Sequence, residues 1–258
     1  MNTVTCPPDI PAFSSVCILG LNIHSVDMTA ALEAIDYFVR RGTPHHVITA
    51  DASMLVMAQD DPDLRRIIQN AALVTPDSAG VLWAARRCGR PLRERVSGVE
   101  IVENLCALSP ERGYRIYFLG AEPGVAQEAA RRMQHRYPGA RIVGARHGYF
   151  APEEEADVVA DIRDSGADIV CVAMGIPRQE KWIDAHRAQL GASVLIGVGG
   201  TLDVLSGQVR RAPLWMQRAR LEWLWRLCAN PRKIRKVMLL PRFVRLVLCA
   251  TSGRRRSA

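Results

Sequence analysis

The seven cysteines (Cys6, Cys17, Cys88, Cys106, Cys171, Cys228 and Cys249) contain no C-x-x-C pair, and an odd number at irregular spacing suits neither a disulfide framework nor a zinc site. They fit a reducing cytosol. No stretch reaches about 18 uncharged apolar residues, the length a membrane-spanning helix needs, so no span is expected. The N-terminus lacks a basic region followed by an apolar one and a small-residue cleavage site, so export is not expected either. The six histidines lack metal-ligand spacing, and no G-x-S-x-G or nucleophilic cysteine signature occurs. Asp61-Pro62-Asp63 has the D-x-D form that can hold a divalent metal through phosphates. Its Pro in a first helical turn marks an ordinary helix start, however, and it is rejected as a metal site.

What is present is a globular composition: 258 residues, 48% hydrophobic and 23% charged. That length suits one large domain with a tail and is too short for two full domains and a linker. The net charge of +8 is unevenly placed. From Arg210 onward there are 14 Lys/Arg against the single acid Glu222, whereas residues 1–209 hold 20 bases and 25 acids. A cationic tail on a mildly acidic body points to an anionic partner: nucleic acid, phospholipid head groups or a diphosphate. A merely solvated basic surface is the plainer alternative.

Residues 1–14 read as a loose, Pro-rich start and 15–21 as a strand. A helix over 28–41, a short β run over 45–49, a helix over 62–70 and a β run over 73–76 follow, then an amphipathic helix ending at Arg87. The second half repeats this rhythm. Strands at 115–119, 141–144, 168–174 and 193–198 alternate with helices ending at Tyr137 and spanning 152–165 and 179–190. Strands separated by helices of ten or more residues require crossovers. The expectation is therefore an α/β core over 15–209, a doubly wound, mostly parallel Rossmann-like sheet. A basic helical appendage occupies 210–250, with helices at 214–228 and 232–248, a break at Asn230-Pro231 and a kink at Pro241. Its apolar residues with interleaved Arg and Lys suit a segment lying in a membrane interface, although core packing or a subunit interface explains them about as well. Residues 251–258 are expected to be disordered.

Ligands of doubly wound sheets bind at the carboxyl ends of the strands, which makes the polar turns there the candidate site. Asp77 stands between a strand end and a helix start, and spacing alone favours an N-cap over a site carboxylate because caps are the commoner use. Thr49 and Asp51 also follow a strand; they face the same cleft or form a local Asx or Ser/Thr turn. Residues 120–124 resemble a phosphate-cradling turn, but the dinucleotide fingerprint is incomplete. The turns at 175–180 and 197–203, with Gly175, Gly199 and Gly200, follow buried strands and offer free backbone N–H groups where helices begin. Both suit a diphosphate, and either is equally readable as a tight turn without a ligand.

An ordered set of motifs adds to this: T-A-D (49–51), T-P-D-S-A-G (75–80), R-V-S-G (95–98), F-L-G-A-E-P-G-V-A (118–126), G-Y-F (148–150), M-G-I-P-R-Q-E (174–180), G-V-G-G-T-L-D-V-L-S-G (197–207), R-A-P (211–213) and L-E-W-L-W-R-L (221–227). Together they resemble the WecG/TagA/CpsF glycosyltransferase family over about residues 16–245. The resemblance implies transfer of N-acetylmannosamine, its uronic acid or a related hexose from a UDP donor to a polyprenyl-diphosphate-linked amino sugar, with inversion and without a metal or other cofactor. Enterobacterial common antigen, wall teichoic acid and exopolysaccharide assembly are the pathways it implies, at the inner face of a bacterial membrane. By the same resemblance Asp77 is the catalytic base, Thr49, Arg95 and Gln179 line its pocket, and Tyr149 and Asp203 lie near the nucleotide base and ribose. The appendage, with Arg226 and the bases over 232–236, resembles a membrane-docking lid. Without a metal, the charge of departing UDP must be met by helix-start N–H groups and guanidinium groups, for which Arg226 and Arg232 are chosen. Asp51 stands where the family often has Asn, Ser78 replaces a frequent Gly, and Arg178 a common Lys.

The partners expected are thus a UDP-sugar, the lipid-linked acceptor and anionic inner-leaflet lipids, with self-association left open. Three rivals predict otherwise. A non-catalytic nucleotide-sugar-binding scaffold binds UDP without turnover. A nucleic-acid binder would show steep salt dependence, but the tail lacks stacking aromatics in a groove. An NAD-dependent oxidoreductase lacks its fingerprint.

Overall fold

The computed structural model describes residues 13–209, Met216 and residues 238–254. A small antiparallel hairpin, β1 (Ser15–Ile18) and β2 (Leu21–His24), precedes a six-stranded parallel sheet. The sheet consists of β3 (His45–Ala50), β4 (Leu73–Pro76), β5 (Arg115–Gly120), β6 (Arg141–Arg146), β7 (Ile169–Ala173) and β8 (Val194–Gly197), in the order β4-β3-β8-β7-β5-β6. The helices are α1 (Met28–Arg41), α2 (Ala52–Asp60), α3 (Pro62–Gln69), α4 (Ala79–Arg87), α5 (Gly98–Arg112), α6 (Val125–Arg136), α7 (Glu155–Asp164), α8 (Arg178–His186), α9 (Thr201–Leu205) and α10 (Leu239–Arg254).

Buried strand residues alternate between two layers, as the two-residue period of a strand requires. Val47, Leu73, Ile116, Phe118, Ile169, Cys171, Val194 and Ile196 face one layer, built with residues of α1, α5, α6 and α9. Ile48 and Val74 face α2, α3, α4 and the hairpin, while Tyr117, Leu119, Val170, Val172 and Leu195 face α7 and α8. Both faces are covered, so central strands read as unbroken apolar runs. The expected doubly wound α/β fold is the one present.

Several local expectations need correction. The single strand at 15–21 is a hairpin: Leu19 and Gly20 both have positive φ, reversing the chain, and β1 pairs with β2 instead of joining the large sheet. There His24 closes one edge, its Nδ1 accepting the Val74 N–H at 2.9 Å. Two helices went unread, α2 and α5, and of α9 only the start was read. The chain wraps α2 so fully that Ala52, Ser53, Met54, Leu55, Val56 and Ala58 are all buried, leaving no amphipathic period to read. Pro241 lies in the first turn of α10, where a missing N–H leaves no bond unmade, so it starts the helix instead of kinking it. That helix runs to Arg254, past the boundary set at 250. Apart from Met216, the helix expected over 214–228 lies outside the described residues, as does the start of the next.

The terminal helix α10 is anchored to the core. Phe243 and Val247 are each 1% exposed within the α2/α4 cluster, the Phe243 ring lies 6.2 Å from that of Trp83, and Arg242 makes two contacts to Asp60, at 2.5 and 2.7 Å. That guanidinium holds the Asp60 carboxyl below its ordinary range. Among the described residues, no helix is long and apolar enough to cross a membrane.

Candidate active site

The register Thr49↔Thr75 and Ala50↔Pro76 carries β3 and β4 to a common edge, and the Asp77 N–H extends it by donating to Ala50 O at 2.9 Å. Asp51 and Asp77 therefore follow neighbouring strand tips. Their uses differ. Asp51 is the N-cap of α2, its Oδ1 accepting from Met54 N at 2.8 Å and from Ser53 Oγ at 2.6 Å. Spacing alone favoured the same duty for Asp77, but the next residue performs it. Ser78 Oγ accepts from Val81 N at 3.3 Å and, across the gap to α2, from Ala52 N at 3.2 Å. The partly exposed Asp77 carboxylate is thus not the cap of α4.

The loop between α4 and α5 brings Arg95 to this edge. Val96 donates its N–H to Pro76 O at 2.9 Å and accepts Thr75 Oγ1 at its own carbonyl at 3.2 Å, prolonging β4 pairing by one residue beside Asp77. Further out, Arg93 pairs with Asp27 at 3.1 Å and Glu94 accepts the Met28 N–H at 2.6 Å, tying the loop to the start of α1. Arg95 lies 3.3 Å from Glu100, which also accepts Ser97 Oγ at 2.8 Å, so a capping acid of α5 orients the guanidinium. Gly98 fits where a Cβ would sit 3.4 Å from Thr201 Oγ1 and 3.5 Å from Thr49 Oγ1, which packs the start of α5 against both threonines.

Adjacent strands β3 and β8 are followed by helices on opposite faces, α2 and α9, which opens a crevice between their tips. Thr49 spans it: buried, it donates Oγ1 to Gly197 O at 2.7 Å. The glycine turns beyond β7 and β8 differ from expectation. The Gly175 and Gly199 N–H groups are not open to solvent anions; both donate to Gln179 Oε1, each at 3.1 Å. Gln179 is 1% exposed, so it ties the two turns together from below instead of presenting its amide to the cleft. Gly200 is the N-cap residue of α9, and Thr201 Oγ1 turns back to Val198 O at 2.7 Å.

Tyr149 stands on the other half of the same edge. Gly148 packs so closely that a Cβ would lie 3.0 Å from Gly120 Cα, Phe150 lies under the Arg178 guanidinium and near Trp182, and Tyr149 between them is 65% exposed. Asp203 lies in the first turn of α9, its carbonyl accepting Val209 N and Ser206 Oγ, each at 3.0 Å. The strand tips thus bring together Thr49, Asp51, Asp77, Arg95, Gln179, Gly175, Gly199 and Gly200, with Asp203 alongside and Tyr149 farther along. Arg226 and Arg232 lie outside the described residues. Asp61 is the N-cap of α3 and pairs with Lys181 at 2.8 Å, which lowers its carboxyl pKa; this is helix-start chemistry. No group of three or more His, Cys, Asp or Glu that could hold a metal is found among the described residues.

Sequence reasoning missed three residues here. Glu100 was readable from the S-x-x-E capping box at 97–100. Glu180, fully buried beside Gln179, and Phe243, which lies 3.5 Å from the place of a Cβ on Gly80, are set by packing and left no local signal. Chemically, a strand-tip carboxylate that does not cap a helix can accept a proton from a hydroxyl, and a guanidinium such as that of Arg95 can meet a leaving anion.

Comparison with known proteins gives a consistent match. Residues 16–257 match the profile described as the glycosyl transferase WecG/TagA/CpsF family. An N-acetylglucosaminyldiphosphoundecaprenol N-acetyl-beta-D-mannosaminyltransferase from Bacillus spizizenii is 33% identical over 202 residues, 78% of either chain. A protein of the same description from Bacillus subtilis is 31% identical over the same share of each.

Proposed function

The chain belongs to the WecG/TagA/CpsF family and is a glycosyltransferase, and from that premise we propose that it moves N-acetylmannosamine or a closely related hexose from a UDP-sugar onto a polyprenyl-diphosphate-linked N-acetylglucosamine. The names of the Bacillus relatives supply the sugar and the lipid-linked acceptor. The observation that carries the reading is at β4: Ser78, not Asp77, caps α4, and Asp77 follows the strand tip where the Arg95-Val96 segment pairs with Pro76.

In this mechanism Asp77 accepts the proton of the acceptor hydroxyl as that oxygen forms a bond to the anomeric carbon. The bond from that carbon to the UDP oxygen breaks from the opposite side, which inverts the configuration in one displacement. UDP leaves with added negative charge, which Arg95 and, from the C-terminal segment, Arg226 and Arg232 neutralise without a metal. The acceptor's lipid places the reaction at a membrane surface. The outward side of α10 carries exposed Val244 and Leu248 together with Arg245, and Met238 just before the helix is exposed as well, a composition suited to an anionic lipid interface on the inner leaflet.

The test is an assay of the pure protein with a panel of UDP-sugars and a short-chain polyprenyl-diphosphate-N-acetylglucosamine, with and without EDTA. Transfer from a UDP-hexosamine that persists in EDTA, giving a product of inverted anomeric configuration, is expected. UDP binding without transfer from any donor overturns the reading in favour of a non-catalytic binder, and loss of transfer in EDTA overturns metal independence.

A further inference from the structure

Helix α8 opens with two side chains that the mechanism above does not use directly, Gln179 and Glu180, at 1% and 0% exposure. Gln179 makes three contacts of one kind of logic. Its Oε1 accepts from Gly175 N and Gly199 N, both at 3.1 Å, and its Nε2 donates to Glu180 Oε1 at 2.7 Å. Only one amide orientation satisfies all three, since a flip would set an NH₂ against two N–H donors and an oxygen against a carboxylate. Glu180 selects that orientation. A carboxylate in the first turn of a helix is also favoured there by the helix dipole.

The backbone leaves room for the pair. A Cβ on Gly197 would lie 2.7 Å from both Gln179 Nε2 and Glu180 Oε1, so only glycine at the end of β8 lets them seat. Gly197 O in turn accepts Thr49 Oγ1 at 2.7 Å. The tips of β3, β7 and β8 are therefore joined through one buried polar floor, with Gln179 linking the last two.

We infer that Glu180 is a positioning residue: its buried carboxylate fixes the Gln179 amide, which holds the glycine turns after β7 and β8 in the arrangement that receives the donor's sugar diphosphate. Neither side chain touches the substrate. The second half of this statement rests on the glycosyltransferase reading; the first half does not. Catalysis is sensitive to placement at this level, because a displacement of about 1 Å can cost about 10²-fold in rate.

The test exchanges the two groups in the full-length protein. In Gln179→Glu the introduced carboxylate can still accept from both glycines, but it faces Glu180 at hydrogen-bond distance, and a proton must be held between them. The pair holds that proton more tightly than the unfolded chain, whose Glu titrates at about 4.3, so stability falls as pH rises from about 4.3 toward the raised value of a buried carboxyl, about 8–9. The expected result is a melting temperature and an affinity for the UDP-sugar that both fall with rising pH, with kcat/KM down about 10²-fold at the alkaline end. In the double variant Gln179→Glu/Glu180→Gln the amide donates from the other side, and both profiles return toward those of the wild type. The other charged groups around α8 are the same in all three proteins, so the comparison with the wild type removes their contribution: Lys181 and Asp184 pair with Asp61 and Arg66 of α3, and His186 with Glu155 of α7. Burial lowers the pKa of His46 of β3 to about 4, which makes stability rise with pH, opposite to the expected effect.

A Gln179→Glu protein whose melting temperature tracks the wild type across the range overturns the proposal, as does a double variant that fails to fold or behaves no better than the single one. If Gln179→Glu alone cannot be recovered folded, a folded and active double variant supports the pairing equally. The melting profiles need no substrate. A wild type that transfers sugar from no UDP donor would therefore sink the functional reading and leave the pair decided by its own result.

Discussion

The two ends of the parallel sheet are built from similar residue types and put to different work. At the amino ends, acids and bases answer one another. Arg115 at the start of β5 makes contacts of 2.7 and 3.1 Å to Asp168 just before β7, which also accepts the Arg115 N–H, and buried Asp36 receives Tyr114 Oη with Arg40 and Arg112 nearby. At the carboxyl ends the side chains gather around strand tips, and buried polar groups such as Thr49 and Gln179 bond backbone atoms of the turns. One end stores its polar groups as clasps between elements, while the other uses them to shape a surface. Substitutions at the first end are expected to lower stability and spare turnover, and those of partly exposed groups at the second, such as Arg95, to do the reverse.

Four measurements would break or sharpen that contrast. Phe243 is the exception to look for, since it lies near the carboxyl ends yet acts as an anchor. Phe243→Ala should cost about 3–5 kcal/mol in denaturant unfolding, and an unchanged midpoint would show that α10 is not held as described. Arg95→Ala should lower kcat/KM by about 10²-fold with a melting temperature near that of the wild type; a protein destabilised but fully active would place Arg95 with the clasps instead.

Acid tests the buried imidazoles. Burial lowers the pKa of His46 to about 4 and also lowers that of His24, whose Nδ1 must stay unprotonated to accept the Val74 N–H. Because the folded values lie below the unfolded one near 6.5, their stabilisation is complete above about pH 6.5 and is lost as pH falls toward the folded values. Between pH 7.5 and 4.5, His46 alone should account for about 2–3 kcal/mol, read as the difference between wild type and His46→Leu in denaturant titrations. Equal pH slopes in the two proteins would contradict it. Last, Asp168→Asn should cost about 1–2 kcal/mol and leave kcat unchanged, and a loss of turnover without destabilisation would dissolve the distinction between the two ends.

Much of this was legible in the amino-acid sequence, for identifiable reasons. A sheet covered on both faces makes its inner strands apolar throughout, so runs such as 115–119 and 193–198 stand out against the polar turns that follow them. The motifs that carry the family resemblance fall at the strand tips, and it is the resemblance that implied a common pocket for Thr49, Asp77, Arg95 and Gln179. What stayed hidden depends on contacts distant in the chain. Helix α2 is buried on too many sides to show a period, and α5 carries Pro110 near its end, which reads as a stop. Spacing favoured Asp77 as the cap of α4, and only the bond from Val81 N to Ser78 Oγ, an oxygen shared with Ala52 N, puts the cap one residue later. Likewise, that the Gly175 and Gly199 N–H groups converge on one buried oxygen follows from the adjacency of β7 and β8, which no local pattern encodes.

The most direct test of the account is the Asp77→Asn protein, measured for UDP binding and for single-turnover sugar transfer to the lipid-linked acceptor. Removal of a general base while the shape of the site is kept should slow transfer by about 10²–10⁴-fold and leave the UDP dissociation constant close to that of the wild type. Transfer at the wild-type rate would contradict the assignment of the base and, with it, the role given to the carboxyl edge of β4.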